Sequence, residues 1–398
     1  MTTPAEAEAA IHSHVRALPA QLTPLTDLAG AILREPIAAT RDQPPFDRVT
    51  MDGIAIATGA GNRREFRIAG TQAAGSRQML LASPDACFEV MTGAVLPHGC
   101  DAVIPVENIT VANGTATLAD TVKPIPGMNI HARGIDSRAG TQLLEAGIRL
   151  RAPEVAVIAS TGLARVAATR PPRIMVVSTG DELQEPGDAV EEWQIYRSNA
   201  YGVLATLEAR GFDLLAHDHL PDDLDVLRQR LRAHLEAHDV LILSGGVSMG
   251  KFDYVPQVLQ ELGIEVIFHK VEQRPGRPMW FGVGGDGTTV YALPGNPVST
   301  LVCLVRYVLP GLATALGAPQ IAPEFVTLSE DVEVRPALTL FHPVKLLPTV
   351  SGEPATALVT PTRGSGDFTS LIGTSGFVEL APGPQPMKRG TRVPLYRW

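Results

Sequence analysis

Three stretches of different texture predict a multidomain protein of the α/β plus β class. Over residues 171–320, short apolar runs alternate with helical patterns, the rhythm of βαβ units forming a parallel α/β sheet domain with helices on both faces. Over 47–144, and again after 321, short β-rich pieces are separated by turns, which predicts an inserted β-rich domain and a small C-terminal barrel or sandwich. A chain of 398 residues is too long for one ordinary domain, and 45% hydrophobic residues suffice for several cores. The boundaries fall at 1–46 for an N-terminal helical linker part, completed by 145–170, then at 47–144, 171–320 and 321–398.

In chain order, residues 6–18 carry helix formers with Ala9, Ile11, Val15 and Leu18 about one turn apart, and 27–34 reads as a second short apolar helix. Pro44-Pro45 then fixes an extended entry to Asp52-Gly53, a tight turn that displays Asp52 on a loop. Strand-like pieces follow at 66–68, 87–91, 102–106 and on either side of Gly114. Residues 153–166 return to a helical pattern, and Pro171-Pro172 marks a boundary.

Beyond it, strands are expected at 174–178, 212–217, 240–243, 264–268 and 289–293. Ser198-Asn199 can cap a helix that stops at Gly211, and Pro221-Asp222-Asp223 opens another with Leu224, Leu227, Leu231 and Leu235 on one face. Four strand ends then meet on one sheet edge, where open α/β folds bind their ligands. They deliver Glu182, Asp222 or Asp223, the glycine loop Ser244-Gly245-Gly246 with Ser248 and Asp253, and Pro294-Gly295-Asn296. Glycine turns let backbone amides approach an anion closely. Lys270, Arg274 and Arg277 place three cations within eight residues, stiffened by two prolines and bent by Gly276, which predicts an anion-binding loop. Residues 297–309 read as a helix; after them strands are expected at 324–328, 338–347, 355–359 and 376–380, with Gly364-Ser365-Gly366-Asp367 as an exposed loop.

A net charge of -9 argues against a general nucleic-acid binder, so any anionic ligand needs a local cluster of cations. Three widely spaced cysteines form no metal or disulfide framework, which favours a reducing cytoplasm. The N-terminal residues lack the charge and apolar core of a signal peptide. The apolar run 300–317 is broken by Arg306 and Pro310, so a core helix is expected rather than a membrane span.

FDRVTMDG (46–53), MTGAVLPHGCDAVIPVE (91–107), RGID (133–136), VVSTGDELQEPG (176–187), LSGGVSMGKFDY (243–254), RPGRP (274–278) and LPGNPVS (293–299) stand in a familiar order. Over essentially its whole length the chain resembles the MoeA family of molybdopterin molybdenumtransferases and the E domain of gephyrin. The resemblance implies a homodimer of four-part subunits, with an α/β part like molybdopterin adenylyltransferase and a C-terminal β-barrel. It implies molybdate insertion into adenylylated molybdopterin, with Mg2+-dependent release of AMP, at a site that the β-rich part of the second subunit completes. It also implies roles for Asp52, Thr92 and Asp136 in that β-rich part. Glu182, Asp222 and Asp253 become candidate metal ligands, and Lys270, Arg274, Arg277 and Ser365 candidates for holding phosphate or molybdate. A molybdopterin adenylyltransferase and apo-molybdoenzymes are the implied protein partners.

The chain departs from the family pattern at three places. Arg274 and Arg277 stand where the family commonly has lysines, Val49 and Thr50 replace the usual serine pattern before Met51, and the arginine often found near Pro343 is missing. Lys345 and His342 are the nearby candidates to replace it. A non-catalytic pterin-nucleotide binder or scaffold, and a related nucleotide-pyrophosphate hydrolase, are the competing readings.

Overall fold

The computed structural model describes residues 1–398 except 62, 248–253, 321 and 349–354. Its chain packs as two compact units, Met1–Arg34 with Gly147–Leu150 and Val166–Trp398, and Glu35–Ala146 with Arg151–Arg165. The α/β and C-terminal β parts thus fall in one unit, and residues 35–46 and 151–165 fall in the other with the β-rich segment.

In the smaller unit, a six-stranded mixed sheet is built from Gly53–Ile56, Glu65–Gln72, Ala86–Val90, Ala102–Pro105, Ile109–Ala112 and Thr115–Leu118. Five of its strands correspond to pieces read from the sequence, whereas Gly53–Ile56, between Ala102–Pro105 and Ala86–Val90 in the sheet, was not singled out as a strand. One expectation fails in the other unit: 27–34 is no helix. A 3-10 turn covers Leu25–Asp27, Gly30 adopts φ +84°, and Ile32 and Leu33 form bridges to Arg149 and Ala168. A left-handed glycine ends helical geometry, and the apolar spacing serves extended backbone instead.

The larger unit begins with α1 (Pro4–His14), capped by Thr3 and Glu6 in a reciprocal box. Its central sheet comprises β1 (Ile174–Thr179), β2 (Leu215–Leu220), β3 (Val240–Ser244), β4 (Glu265–His269), β5 (Trp280–Val283) and β6 (Thr289–Leu293). The order is β2-β1-β3-β6-β5-β4; the first four strands are parallel, β5 runs antiparallel to β6, and β4 runs antiparallel to β5 and so in the direction of the first four. Side chains of a strand alternate between faces. Ile174, Val176 and Ile242 therefore pack on one side against α1, α2 (Ser198–Glu208) and the long helix α5 (Pro297–Leu316). Met175, Val177 and Leu241 pack on the other against α3 (Leu224–Ala237) and α4 (Val255–Glu261). Both faces are covered, which is why the fully buried central strands β1, β3 and β6 read as continuous apolar runs, whereas the edge strand β2, LAHDHL, does not. Helix α5 is long and apolar enough to cross a membrane, but 72% of its most apolar stretch is buried inside the protein, as expected of a core helix.

Asp239 anchors the opposite edge of this sheet. Its carboxylate accepts hydrogen bonds from Arg170 at 2.8 and 2.9 Å and from the Arg173 backbone N–H at 2.8 Å, just before β3 and β1 begin. Burial raises its pKa, but the hydrogen bonds from Arg170 and Arg173 outweigh that and hold it well below the usual carboxylate range. A depressed carboxylate stabilises the fold above its unfolded pKa, and that contribution is lost as the pH falls through the folded value. Asp239→Asn is therefore expected to cost about 1–2 kcal/mol at neutral pH, allowing for solvent screening. Below about pH 4 the gap between variant and wild type should begin to close. Thermal melts at pH 7 and in acid check this; a pH-independent gap would contradict it.

The C-terminal strands β7 (Glu324–Leu328), β8 (Thr339–Leu347), β9 (Thr356–Val359), β10 (Gly376–Leu380) and β11 (Arg392–Arg397) pair in the order β8-β9-β7-β11-β10. Pairing of β10 back onto β8 closes a five-stranded barrel. Val298, Val302 and Val305 of α5 pack on Phe341 and Phe377 of the barrel. Arg306, 3% exposed, fastens the same junction by ion pairs to Glu8 and Glu379 at 2.9 Å each.

Candidate functional site

The four parallel strands are neighbours, so their carboxyl ends deliver four loops to one place. These loops bound a cavity of about 450 Å³ lined by Glu182, Asp222, Ser244, Gly245, Gly246, Pro294, Gly295 and Asn296, all of them expected from the sequence. The glycines are required by close approach. A Cβ at Gly245, where φ is +101°, would lie 2.7 Å from the Thr179 carbonyl oxygen. One at Gly295 would lie 3.6 Å from the Gly245 Cα. Backbone thus packs directly on backbone, which only glycine allows at the tighter contact. Asn199 ties two of the loops together, donating from Nδ2 to the Ser244 Oγ at 2.9 Å and to the Gly295 carbonyl at 2.7 Å. It was expected only as a helix cap; Arg197 occupies the cap position instead, without a side-chain capping bond.

Among the described residues, two carboxylates line this cavity. Glu182 curls back over Gly180, whose added Cβ would meet its Oε2 at 2.5 Å. Asp222 lines the wall, its backbone N–H donating to Asp181 Oδ1 at 3.1 Å. The neighbouring Asp223 serves the helix instead, its Oδ1 accepting from the N–H groups of Asp225 at 3.0 Å and Val226 at 2.9 Å and so capping α3. That separates the two aspartates which the sequence leaves open. Beneath them, the hydroxyls of Ser178 and Thr179 are buried without a hydrogen-bond partner among the described residues. Both residues line the cavity, and the Thr179 Oγ1 is covered by the glycine loop: a Cβ at Gly245 or Gly246 would lie 2.8 or 2.9 Å from it. Asp253 and Ser248 lie outside the described residues.

A second cavity, of about 720 Å³, opens between the α/β layer and the barrel. It shares Pro278, Pro294 and Asn296 with the first. The short strand Gln273–Arg274 pairs with Thr339 and Leu340 of β8 and seats the basic loop on the barrel. Across the gap, Asn296 Nδ2 donates to the Ser365 Oγ at 2.9 Å, and the Val298 N–H donates to the Ser365 carbonyl at 3.0 Å. Arg274, Arg277, Arg335 and Arg363 all line this cavity, with Glu333 as the single carboxylate among its described lining residues. His342 is there too, its pKa lowered by burial and then by the Arg274 charge, so it stands as a neutral imidazole at pH 7.

Arg335 and Arg363 were missed by sequence reasoning. Lys345, a candidate replacement for the missing family arginine, lies outside the lining, whereas His342 lies within it. Lys270 lines neither cavity; its backbone adopts φ +76° and its N–H donates to the Met279 carbonyl at 2.9 Å.

Asp52, Thr92 and Asp136 belong to the smaller unit. The Thr92 N–H and hydroxyl both donate to Asp52 Oδ1 at 2.7 Å. Those two bonds lower the Asp52 pKa and fix an exposed carboxylate in its ionised form. Asp136, also exposed, pairs its Oδ1 with His131 Nε2 at 2.8 Å.

The fold and the loop-edge cavity define a ligand-binding protein of the open α/β class that also carries a β-rich unit and a barrel. Residues 175–314 match a family described as a probable molybdopterin binding domain, and residues 2–162 match the MoeA N-terminal region, domains I and II. Molybdopterin molybdenumtransferase from a Synechocystis strain is 41% identical over 377 residues, covering 93% of each chain. The Staphylococcus aureus protein of the same name is 32% identical over 95% of this chain and 91% of its own. The molybdopterin biosynthesis MoeA protein from Pyrococcus horikosii, known from a crystal structure, superposes with a TM-score of 0.82 at 28% identity, over 100% of this chain and 99% of that one. The chain belongs to the MoeA family of molybdopterin molybdenumtransferases.

Proposed function

We propose that this protein inserts molybdate into the dithiolene of adenylylated molybdopterin, with Mg2+-dependent release of AMP. The observation that carries the reading is the pair of adjoining cavities, one with glycine loops and carboxylates, the other with four arginines, which share a wall of Pro278, Pro294 and Asn296. The glycine loops cradle the pyrophosphate, and the arginine cavity holds the tetrahedral oxyanion beside it. Arginine suits that role because its planar fork can bind two oxygens at once. In this reading Arg335 and Arg363, from the barrel, take over from the arginine that the family often carries near Pro343.

The residues present suit Mg2+ of the kind that keeps several waters and is held by one or two carboxylates and substrate phosphates. Glu182 and Asp222 line one cavity, with the unpaired hydroxyls of Ser178 and Thr179 nearby. A closed cage has no support, since no group of three ligating side chains occurs among the described residues. Asp253 is proposed as a third carboxylate, and Ser248 and Lys270 as further contacts of the phosphates, on the resemblance alone. When bound, the ion supplies charge neutralisation for the cleaved pyrophosphate. The protein's own groups do the rest: the glycine loops hold the phosphates still, and the arginines bring the oxyanion into line.

In the same reading the protein is a cytoplasmic homodimer, and Asp52, Thr92 and Asp136 of each subunit act on the site of the other. Adenylylated molybdopterin would be received from a molybdopterin adenylyltransferase, and the product passed to apo-molybdoenzymes.

The test is direct: purified protein, adenylylated molybdopterin, Mg2+ and molybdate should yield AMP together with a cofactor that reconstitutes a pterin-free apoenzyme. A hydrogen bond to a charged group contributes about 1.5–3 kcal/mol, so Arg274→Ala is expected to raise the molybdate requirement about tenfold or more, and Arg363→Ala to act in the same direction. The requirement for the pterin nucleotide should change much less. AMP release without reconstitution would point to a pyrophosphate hydrolase instead, and an unchanged molybdate dependence in both variants would remove the arginines from the oxyanion site.

A further inference from the structure

Gln273 sits immediately before the two arginines of the basic loop and is 1% exposed. A buried carboxamide must find its partners locally. Its Oε1 accepts from the Tyr307 hydroxyl, while its Nε2 donates to the Pro275 carbonyl at 3.1 Å and to the Cys303 Sγ at 3.6 Å. Cys303 Sγ in turn donates to the Gly276 carbonyl at 3.7 Å. The two gripped carbonyls belong to the residues between Arg274 and Arg277. Cys303 and Tyr307 stand four apart on α5, so one face of that helix reaches the loop twice. Contact is tight: a Cβ at Gly276, where φ is +91°, would lie 2.6 Å from both Cys303 Sγ and Gln273 Nε2.

We infer that Gln273, held by Tyr307 and Cys303, is a positioning residue that sets the spacing of Arg274 and Arg277 for a tetrahedral oxyanion. The inference rests on the reading that Arg274 binds the oxyanion. Gln273 itself is turned into the core; its effect passes through the turn it holds. A side chain that only filled volume would be replaced without loss by methionine, which has similar length and no amide.

Calorimetric titration of the full-length protein with sodium molybdate tests this, with AMP titrated alongside. Gln273→Met and Tyr307→Phe are each expected to weaken molybdate binding by about three- to tenfold, the equivalent of one lost buried hydrogen bond, and to leave AMP affinity unchanged. The deciding measurement is coupling: Gln273→Met should weaken molybdate binding by clearly less in an Arg274→Ala background than in the wild type, because only Arg277 is then left for it to position. Independent, multiplying losses would overturn the positioning role, as would unchanged molybdate affinity in Tyr307→Phe, which retains the ring and its packing. If Arg274→Ala alone leaves molybdate affinity intact, the underlying oxyanion assignment fails first, and that result is distinct from a failure of coupling.

Discussion

Asp222→Asn and Glu182→Gln are each expected to lower AMP-releasing turnover on the order of a hundredfold or more, with little change in melting temperature. Both substitutions keep side-chain size and remove one negative charge from the carboxyl edge of the sheet. If these carboxylates hold Mg2+ against a cleaving pyrophosphate, losing one removes several kcal/mol of transition-state stabilisation, and each ~1.4 kcal/mol is a factor of ten in rate. Raising the Mg2+ concentration should recover part of the loss. Asp223→Asn supplies the contrast. Asparagine is also a good helix cap, so the fold should hold, and because the Asp223 carboxylate is engaged with the N–H groups of Asp225 and Val226, turnover should stay near wild type. A collapse of turnover in Asp223→Asn equal to that in Asp222→Asn would undo the assignment of the two neighbours. So would an Asp222→Asn protein that loses nucleotide affinity and turnover in equal measure.

The difference between Asp222 and Asp223 illustrates what this sequence makes legible. Parallel strands buried on both faces leave continuous apolar runs, and each run here ends at a glycine, proline or acidic turn. Glu182, Asp222, the Gly245-Gly246 loop and Pro294-Gly295-Asn296 could therefore be placed together before any coordinates, because strand polarity alone sends them to one edge. Which of two adjacent aspartates faces the cavity depends on where α3 begins, and helix starts are uncertain by a residue or two in sequence. Residues 27–34 misled for a different reason. Leu28, Ile32 and Leu33 have helical spacing, but the partners that draw Ile32 and Leu33 into extended bridges lie at Arg149 and Ala168, more than a hundred residues away. Strand β5 escaped notice because it is four residues long and contains Gly282, with no period to distinguish it from a loop. Arg335 and Arg363 were invisible as site residues for a related cause. Neither lies in a motif; only closure of the barrel and its seating on α5 bring them to the cavity that holds Arg274.

Mixing two inactive variants is expected to restore activity, provided that the acidic residues of the β-rich unit serve the opposite subunit. Asp52 is held by two bonds from Thr92, exposed, and kept ionised by those same bonds. Two donors spent on orienting an exposed carboxylate contribute little to the core, which is the pattern of a group displayed for a ligand. By the proposed arrangement each site of a homodimer takes Glu182 and Asp222 from one chain and Asp52 from the other. Asp52→Ala and Asp222→Ala homodimers should then both be inactive. In a heterodimer of the two, one site carries both lesions and the other carries neither. Random reassortment makes half the dimers heterodimers, so about a quarter of wild-type activity per subunit should return. Co-expression with two different affinity tags isolates the heterodimer, where about half of wild-type activity per subunit is expected from the single intact site. Heterodimers that form and stay inactive would show that Asp52 serves its own chain's site or none, and a protein that sediments as a monomer at assay concentration while turning over would exclude the shared site altogether.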